Sequence, residues 1–158
     1  MEFANINLSL EEKGWFFQEH FVTDELCKSI INNHFNSDSR GFFYEAKIGI
    51  KNNNNNVRNS SILWGDNWNN DSGLEALNLM FSNIMFSINN YFRLSMKHFE
   101  SQFSIYNQGG FYKCHLDQHR HTQHRQVSCC LYLNDCIDGG ELVIYKRGSR
   151  ENVDKIIK

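Results

Sequence analysis

Two different hydrophobic periods divide this chain. Leu26, Cys27, Ile30, Ile31 and Phe35 recur at three- and four-residue spacing, which predicts a helix with one buried face, capped by Thr23 or Asp24 and ending near Asn36 to Gly41. A longer helix is predicted from the capping box Ser72-Gly73-Leu74-Glu75, because Leu74, Leu77, Phe81, Ile84, Ile88 and Tyr91 form one apolar stripe. From Glu100 the period falls to two. Phe103 and Ile105 alternate with Gln102, Ser104 and Tyr106, and Asn107-Gln108-Gly109-Gly110 then supplies a turn into a strand from Phe111 to Asp117. Val127, Cys129, Leu131 and Leu133 alternate with polar or small residues as a third strand. After Asp138-Gly139-Gly140, Glu141 to Tyr145 reads as a fourth.

The upstream signals are shorter. Ser9 to Glu12 is a further capping box, predicting a short helical turn before Gly14-Trp15-Phe16-Phe17, which reads as a strand. Phe42 to Ile50 and Val57 to Asp66 have strand-like content, and the polar tract Lys51 to Asn56 between them cannot build a core, so it is expected as an exposed loop. Helices followed by short strands between glycine turns predict an α+β fold with an antiparallel double-sheet core.

Composition narrows the class. At 158 residues, 41% of them hydrophobic and 14% aromatic, the chain is the size of one domain able to bury a core. Its net charge of −2, with both signs interspersed, gives no basic footprint for a nucleic acid. No apolar run reaches membrane-spanning length and the N-terminus lacks a signal-peptide layout, so a soluble, cytoplasmic protein is expected. The five cysteines show no CxxC spacing and are expected as reduced, buried thiols.

The chemistry centres on His115-Leu116-Asp117. On a strand, residues two apart point to one face, so this triplet would set an imidazole beside a carboxylate, which is two-thirds of the two-His, one-carboxylate site of a non-haem Fe(II) oxygenase. By itself the pattern is weak, expected by chance about 0.35 times in a chain with this many His and Asp residues.

Its setting is more specific. The run from Phe99 through Tyr106, Gly109-Gly110 and His115-Leu116-Asp117-Gln118, continued by Arg125 to Asp135 with Tyr132 and by Gly139-Gly140-Glu141-Leu142-Val143-Ile144-Tyr145, resembles the prolyl 4-hydroxylase group of Fe(II)/2-oxoglutarate dioxygenases, on the bacterial branch related to the oxygen-sensing EGL-nine enzymes. Val57-Arg58 and Leu63 to Asp66 are a weaker upstream echo.

The resemblance implies a double-stranded β-helix (jelly-roll) domain, with residues 1–98 as its N-terminal support and 99–158 as the first part of the catalytic β-helix. It implies His115 and Asp117 as iron ligands, Tyr106 and Tyr132 lining the co-substrate pocket, and Leu142 as an apolar wall of that pocket. The cofactors implied are Fe(II), with 2-oxoglutarate and O2 as co-substrates and ascorbate as reductant. The substrate implied is a prolyl residue in a protein or peptide, hydroxylated with release of succinate and CO2.

The chain departs from the pattern at its end. The family's second histidine and its co-substrate-anchoring Arg or Lys lie beyond the Gly-Gly-Glu-Leu strand, whereas only Lys146 to Lys158 follow Tyr145 and no histidine follows His124. The resemblance therefore implies a β-helix lacking its last strands, with an exposed edge that a second copy of the chain could pair. The candidate substitute ligand is His119, in the His119 to His124 loop, which would reach the metal face if the strand continued that far. The alternatives are an inactive peptide-binding module and a simple divalent-metal binder using the histidine loop.

Overall fold

The computed structural model describes residues 3–36, 38, 42–46, 56–65 and 72–157; the polar tract up to residue 55, residues 47–50 and Asp66 lie outside them. In chain order the elements are α1 (Phe3–Lys13), α2 (Asp24–His34), β1 (Tyr44–Glu45), β2 (Arg58–Asn59), β3 (Ser61–Trp64), α3 (Ser72–Phe92), β4 (Gln102–Ile105), β5 (Phe111–Tyr112), β6 (Leu142–Tyr145) and β7 (Val153–Ile157). The α+β class expected from the periods is the one observed. The chain divides into two compact units, a helical one from residues 1–36 and 66–101 and a sheet one from 37–65 and 102–158.

In the helical unit, α2 and α3 form where the apolar spacing predicts them. Thr23 Oγ1 accepts the Leu26 N–H at 3.3 Å, satisfying one of the donors that a helix start leaves open. The helix ends at His34, just short of the Asn36 to Gly41 stretch expected to end it, and the Phe35 N–H closes its last turn on the Ile31 carbonyl. Ile30 is completely buried. The α3 stripe buries Leu74, Leu77, Ile84 and Ile88, and Ile6 of α1 joins Ile84 and Ile88 in a core with Phe3, Leu10, Phe16 and Phe81 packed around it.

Two expectations about the N-terminus fail for one reason. Ser9 does not open a helix but lies inside α1, and its hydroxyl donates to the Trp15 carbonyl at 2.7 Å. Gly14, at φ +80°, takes the left-handed turn that stops the helix, and its N–H bonds the Leu10 carbonyl. The aromatic run after it is not a strand. Phe16 gains more by covering the isoleucine core than by extending without a ladder partner.

The sheet unit holds three small antiparallel sheets: β1-β3-β4, β2-β5 and β6-β7. The segment 58–64 faces 102–112 through two of them. Ser61 to Trp64 pair with Ile105 to Gln102, then Arg58 and Asn59 pair with Tyr112 and Phe111, so Tyr106 to Gly110 are looped out between the two ladders. The loop closes through the Gly110 N–H on the Asn107 carbonyl at 2.7 Å.

Three strand expectations change. The strand begun at Phe111 stops at Tyr112, with Lys113 N–H still bonding the Val57 carbonyl, because its partner runs out there. Residues 127–133 belong to no helix and to no ladder among the described residues. β7, which the sequence pattern did not suggest, pairs β6 from Leu142↔Ile157 to Tyr145↔Val153. Its Val-Asp-Lys-Ile-Ile has no clean alternation, and only Ile157 is buried. No helix among the described residues is long and apolar enough to cross a membrane.

Ile30→Ala should lower the unfolding free energy by about 2–5 kcal/mol, since it empties a site with no solvent access; a urea midpoint unchanged from wild type would show that α2 contributes no core. Gly110→Ala should cost about 1–3 kcal/mol by overpacking, because its Cβ would lie 2.8 Å from the Asn107 carbonyl oxygen and 3.0 Å from that of Asn59, both backbone atoms. The same denaturation measurement reads it, and a neutral result would mean the β2-β5 ladder has slack.

Candidate functional site

The site is built outward from the β2-β5 ladder. Arg58 and Tyr112 are directly opposed across it, which puts their side chains on one face. Arg58 Cζ lies 4.5 Å from the Tyr112 ring centroid, and the His115 ring stacks on Tyr112 with centroids 3.4 Å apart and planes 18° from parallel. Arg58 is buried, its Nε donating to Ser60 Oγ at 2.7 Å and its Nη2 to Ser104 Oγ at 3.5 Å.

His115 and Asp117 do not lie on a strand, yet they meet. His115 Nδ1 is 2.7 Å from the Lys113 carbonyl, a local side-chain bond that competes with ladder geometry and turns the ring toward Asp117. With Nδ1–H committed to that carbonyl, Nε2 faces Asp117 Oδ1 at 3.3 Å. The other carboxylate oxygen, Oδ2, accepts from Ser128 Oγ at 2.5 Å. Both side chains stay reachable, with 33% of the His115 and 43% of the Asp117 side-chain surface exposed.

The charges follow from these contacts. The His115 partner, aided by Ser128, holds the Asp117 carboxyl down to about 2 against the opposing effect of burial. For His115 burial disfavours the cation, but the bonds to Asp117 and to the Lys113 carbonyl together outweigh it and raise the imidazole above its ordinary value. Burial raises the Tyr112 and Tyr132 phenols. The protein atoms packed around them also raise the thiols of Cys129 and Cys130, yet Cys114, Cys129, Cys130 and Cys136 are all exposed at the surface and Cys27 is half-buried, so the expectation of buried cysteines is not met: among the described residues no ladder covers residues 127–133.

The sequence-predicted residues are distributed unevenly. Tyr106 and Tyr132 are both exposed, at 48% and 54%, and close enough to each other for their phenols to interact electrostatically; Tyr106 also acts on Tyr112. Leu142 is half-buried on β6, paired with Ile157, and no described contact joins it to His115 or Asp117. His119 is not brought to the metal face. The chain turns there instead of continuing as a strand: Thr122 N–H bonds the His119 carbonyl, Thr122 Oγ1 bonds the Asp117 carbonyl, and His119 Nδ1 accepts the His121 N–H. Among the described residues no three His, Cys, Asp or Glu side chains cluster to hold a metal ion.

Sequence reasoning passed over Arg58, Tyr112 and Ser128 as site residues. For Arg58 a signal existed, a cation within a β-branched and aromatic run; Ser128 sat on the polar side of a predicted strand and Tyr112 was indistinguishable from a core aromatic.

The pair gives a pH window for stability in chelator-treated protein. A carboxyl depressed to about 2 contributes above its ordinary value of ~3.9 and loses that contribution as pH falls toward 2, while a raised imidazole contributes fully below ~6.5 and loses it as pH rises through its folded value. The urea-midpoint difference between wild type and Asp117→Asn should therefore peak between about pH 4 and 6.5 and shrink on both sides. A difference flat from pH 2 to 9 would show that the two groups do not interact.

Comparison with known proteins adds the family context. No curated protein matches the chain. Its fold is similar to the crystal structure of a Pseudomonas putida prolyl-4-hydroxylase, with a TM-score of 0.65 and 25% sequence identity over 73% of this chain; the chain spans 61% of that protein's length. Residues 101–157, the segment holding Tyr106, His115, Asp117, Ser128 and Tyr132, match the family model described as the 2OG-Fe(II) oxygenase superfamily, and it is to that superfamily that this segment is similar.

Proposed function

We propose that this chain carries the co-substrate pocket and two of the three metal ligands of an Fe(II)/2-oxoglutarate dioxygenase that hydroxylates a prolyl residue in a protein or peptide. The observation that carries the reading is the facing pair His115 Nε2 and Asp117 Oδ1, inside the segment that matches the superfamily. The similarity to a prolyl-4-hydroxylase supports the substrate class.

The donor set fits iron only in part. A facial site takes two histidines and a carboxylate, and the described residues offer one of each, with no third donor clustered beside them. No reaction step is therefore assigned through the metal. In this reading the Lys113 carbonyl, by accepting from Nδ1, would leave Nε2 as the liganding atom, Ser128 would hold one carboxylate oxygen of Asp117, and a cation held between Nε2 and Oδ1 would take the place of the proton they share. Tyr106 and Tyr132 in this reading offer phenols to 2-oxoglutarate, and Leu142 an apolar wall. That no third donor clusters at the pair among the described residues favours one second reading, a module that binds a peptide without oxidising it.

Anaerobic titration of Fe(II) and 2-oxoglutarate, followed by succinate measurement in air, separates the two. The first reading expects 2-oxoglutarate affinity to rise at least tenfold with Fe(II), and His115→Ala and Asp117→Ala to abolish that rise. If Fe(II) has no effect and both variants match wild type, the dioxygenase reading is overturned, and iron-independent binding of a proline-containing peptide would establish the module.

A further inference from the structure

The loop that follows Asp117 is exposed, yet its backbone is held by its own side chains. Gln118 Nε2 donates to the carbonyls of Gln123 and Arg125 at 3.0 and 3.1 Å, closing the loop at its base, and Gln126 Nε2 adds a bond to the Gln123 carbonyl at 3.1 Å. Inside it the His119 N–H bonds Thr122 Oγ1 at 2.9 Å, and the N–H groups of Thr122 and Arg125 bond the carbonyls of His119 and Thr122. Thr122 Oγ1 also donates to the Asp117 carbonyl at 2.7 Å, which ties the loop to the reactive pair.

What the loop holds in place is cationic and rich in donors. Gln118 to Arg125 contain Arg120, Arg125 and three histidines and no acid, and His119, Arg120, His121 and His124 are exposed. Among the described residues no hydrogen bond or ion pair engages the side chain of Arg120 or of His124. The imbalance extends beyond the loop. Between Ser101 and Asn134 the only carboxylate is Asp117, already bonded to His115 and Ser128, against Lys113, Arg120 and Arg125, although the whole chain carries a net charge of −2. Leu116, inside the reactive triplet, is 82% exposed. An open apolar side chain next to an ordered cationic loop suits an extended peptide that lies across both. A small anion would need neither the breadth of the loop nor Leu116, and an extended nucleic acid would run from this confined basic segment onto a chain that is acidic as a whole.

We propose that the loop Gln118 to Arg125 docks an acidic stretch of a peptide whose neighbouring residues lie at the His115–Asp117 pair. This docking rests on the function proposed above only in taking a peptide as partner, which the dioxygenase and the module readings share. Each contact between exposed charges contributes little, so recognition comes from several donors acting together, and salt weakens it. Donors held in place before binding lose less freedom when the peptide arrives.

The test follows fluorescence anisotropy with the full chain in chelator. The probes are a labelled peptide with one proline followed by a run of Asp and Glu, and its counterpart with Asn and Gln in their place. The acidic peptide should bind about tenfold more tightly at low salt, and the gap should close as salt rises from about 0.05 to 0.5 M. The combined substitution Arg120→Gln, His121→Gln and His124→Gln should cut that preference to about twofold and leave the affinity for the amide peptide unchanged. None of these side chains makes the bonds that order the loop, so the urea midpoint should stay at the wild-type value. Should the combined variant unfold, Arg120→Glu decides instead, with an expected loss of about tenfold in affinity for the acidic peptide alone. Equal affinity for the two peptides, binding of neither, or a preference that survives the substitutions overturns the proposal, as does a labelled single-stranded oligonucleotide that binds more tightly than the acidic peptide. An acidic preference carried by the loop, together with no effect of Fe(II) on 2-oxoglutarate affinity, would uphold the docking and overturn the dioxygenase reading; equal peptide affinities with an Fe(II)-dependent rise would do the reverse.

Discussion

The cross-strand contact between Arg58 and Tyr112 sets the base of the candidate site, and it depends in turn on the longer ladder beside it. It joins a two-residue strand to another two-residue strand, too little ladder to be stable alone. The ladder persists because the same two segments pair again as β3 and β4, with Ile62, Leu63 and Phe103 buried. The loop Tyr106 to Gly110 lets the second register differ from the first without breaking either. Looping out these residues is what brings Tyr112, rather than a residue of the loop, opposite Arg58.

From Tyr112 the organisation passes to local bonds. His115 and Asp117 are held by their own neighbourhood: a backbone carbonyl behind the imidazole, a serine hydroxyl behind the carboxylate, and the Asp117 carbonyl tied into the Thr122 turn. The network explains why the triplet keeps its facing geometry after the strand has ended. It also sets the competition any cation would meet, because the ion pair already satisfies both donors and draws each group toward its charged form.

The site is consequently lopsided in charge and cover. On one side a guanidinium is buried under Tyr112; on the other, His115, Asp117, Tyr106 and Tyr132 remain open to solvent. The 127–133 segment contributes Ser128 to the carboxylate, and among the described residues no ladder covers it. Among the described residues, then, the groups that would bind are fixed more firmly than the walls that would exclude water around them.

Much of this was legible in the residues alone. The spacing in α2 and α3 determines those helices, since an apolar face three and four residues apart has only one way to be buried, and Thr23 marks a start for the same local reason. The closeness of His115 and Asp117 was also fixed locally, though a bend and a carbonyl bond produce it, not a strand. Pairing was not legible. Whether 127–133 finds a ladder, where β5 stops, that Val153 to Ile157 covers β6, and that Arg58 comes to lie on Tyr112 depend on what the opposing segment offers, and hydrogen bonding between strands carries no mark in the sequence of either strand taken singly. The sequence by itself determined α2, α3 and the closeness of His115 to Asp117; the tertiary structure decided which distant residues stand around that pair.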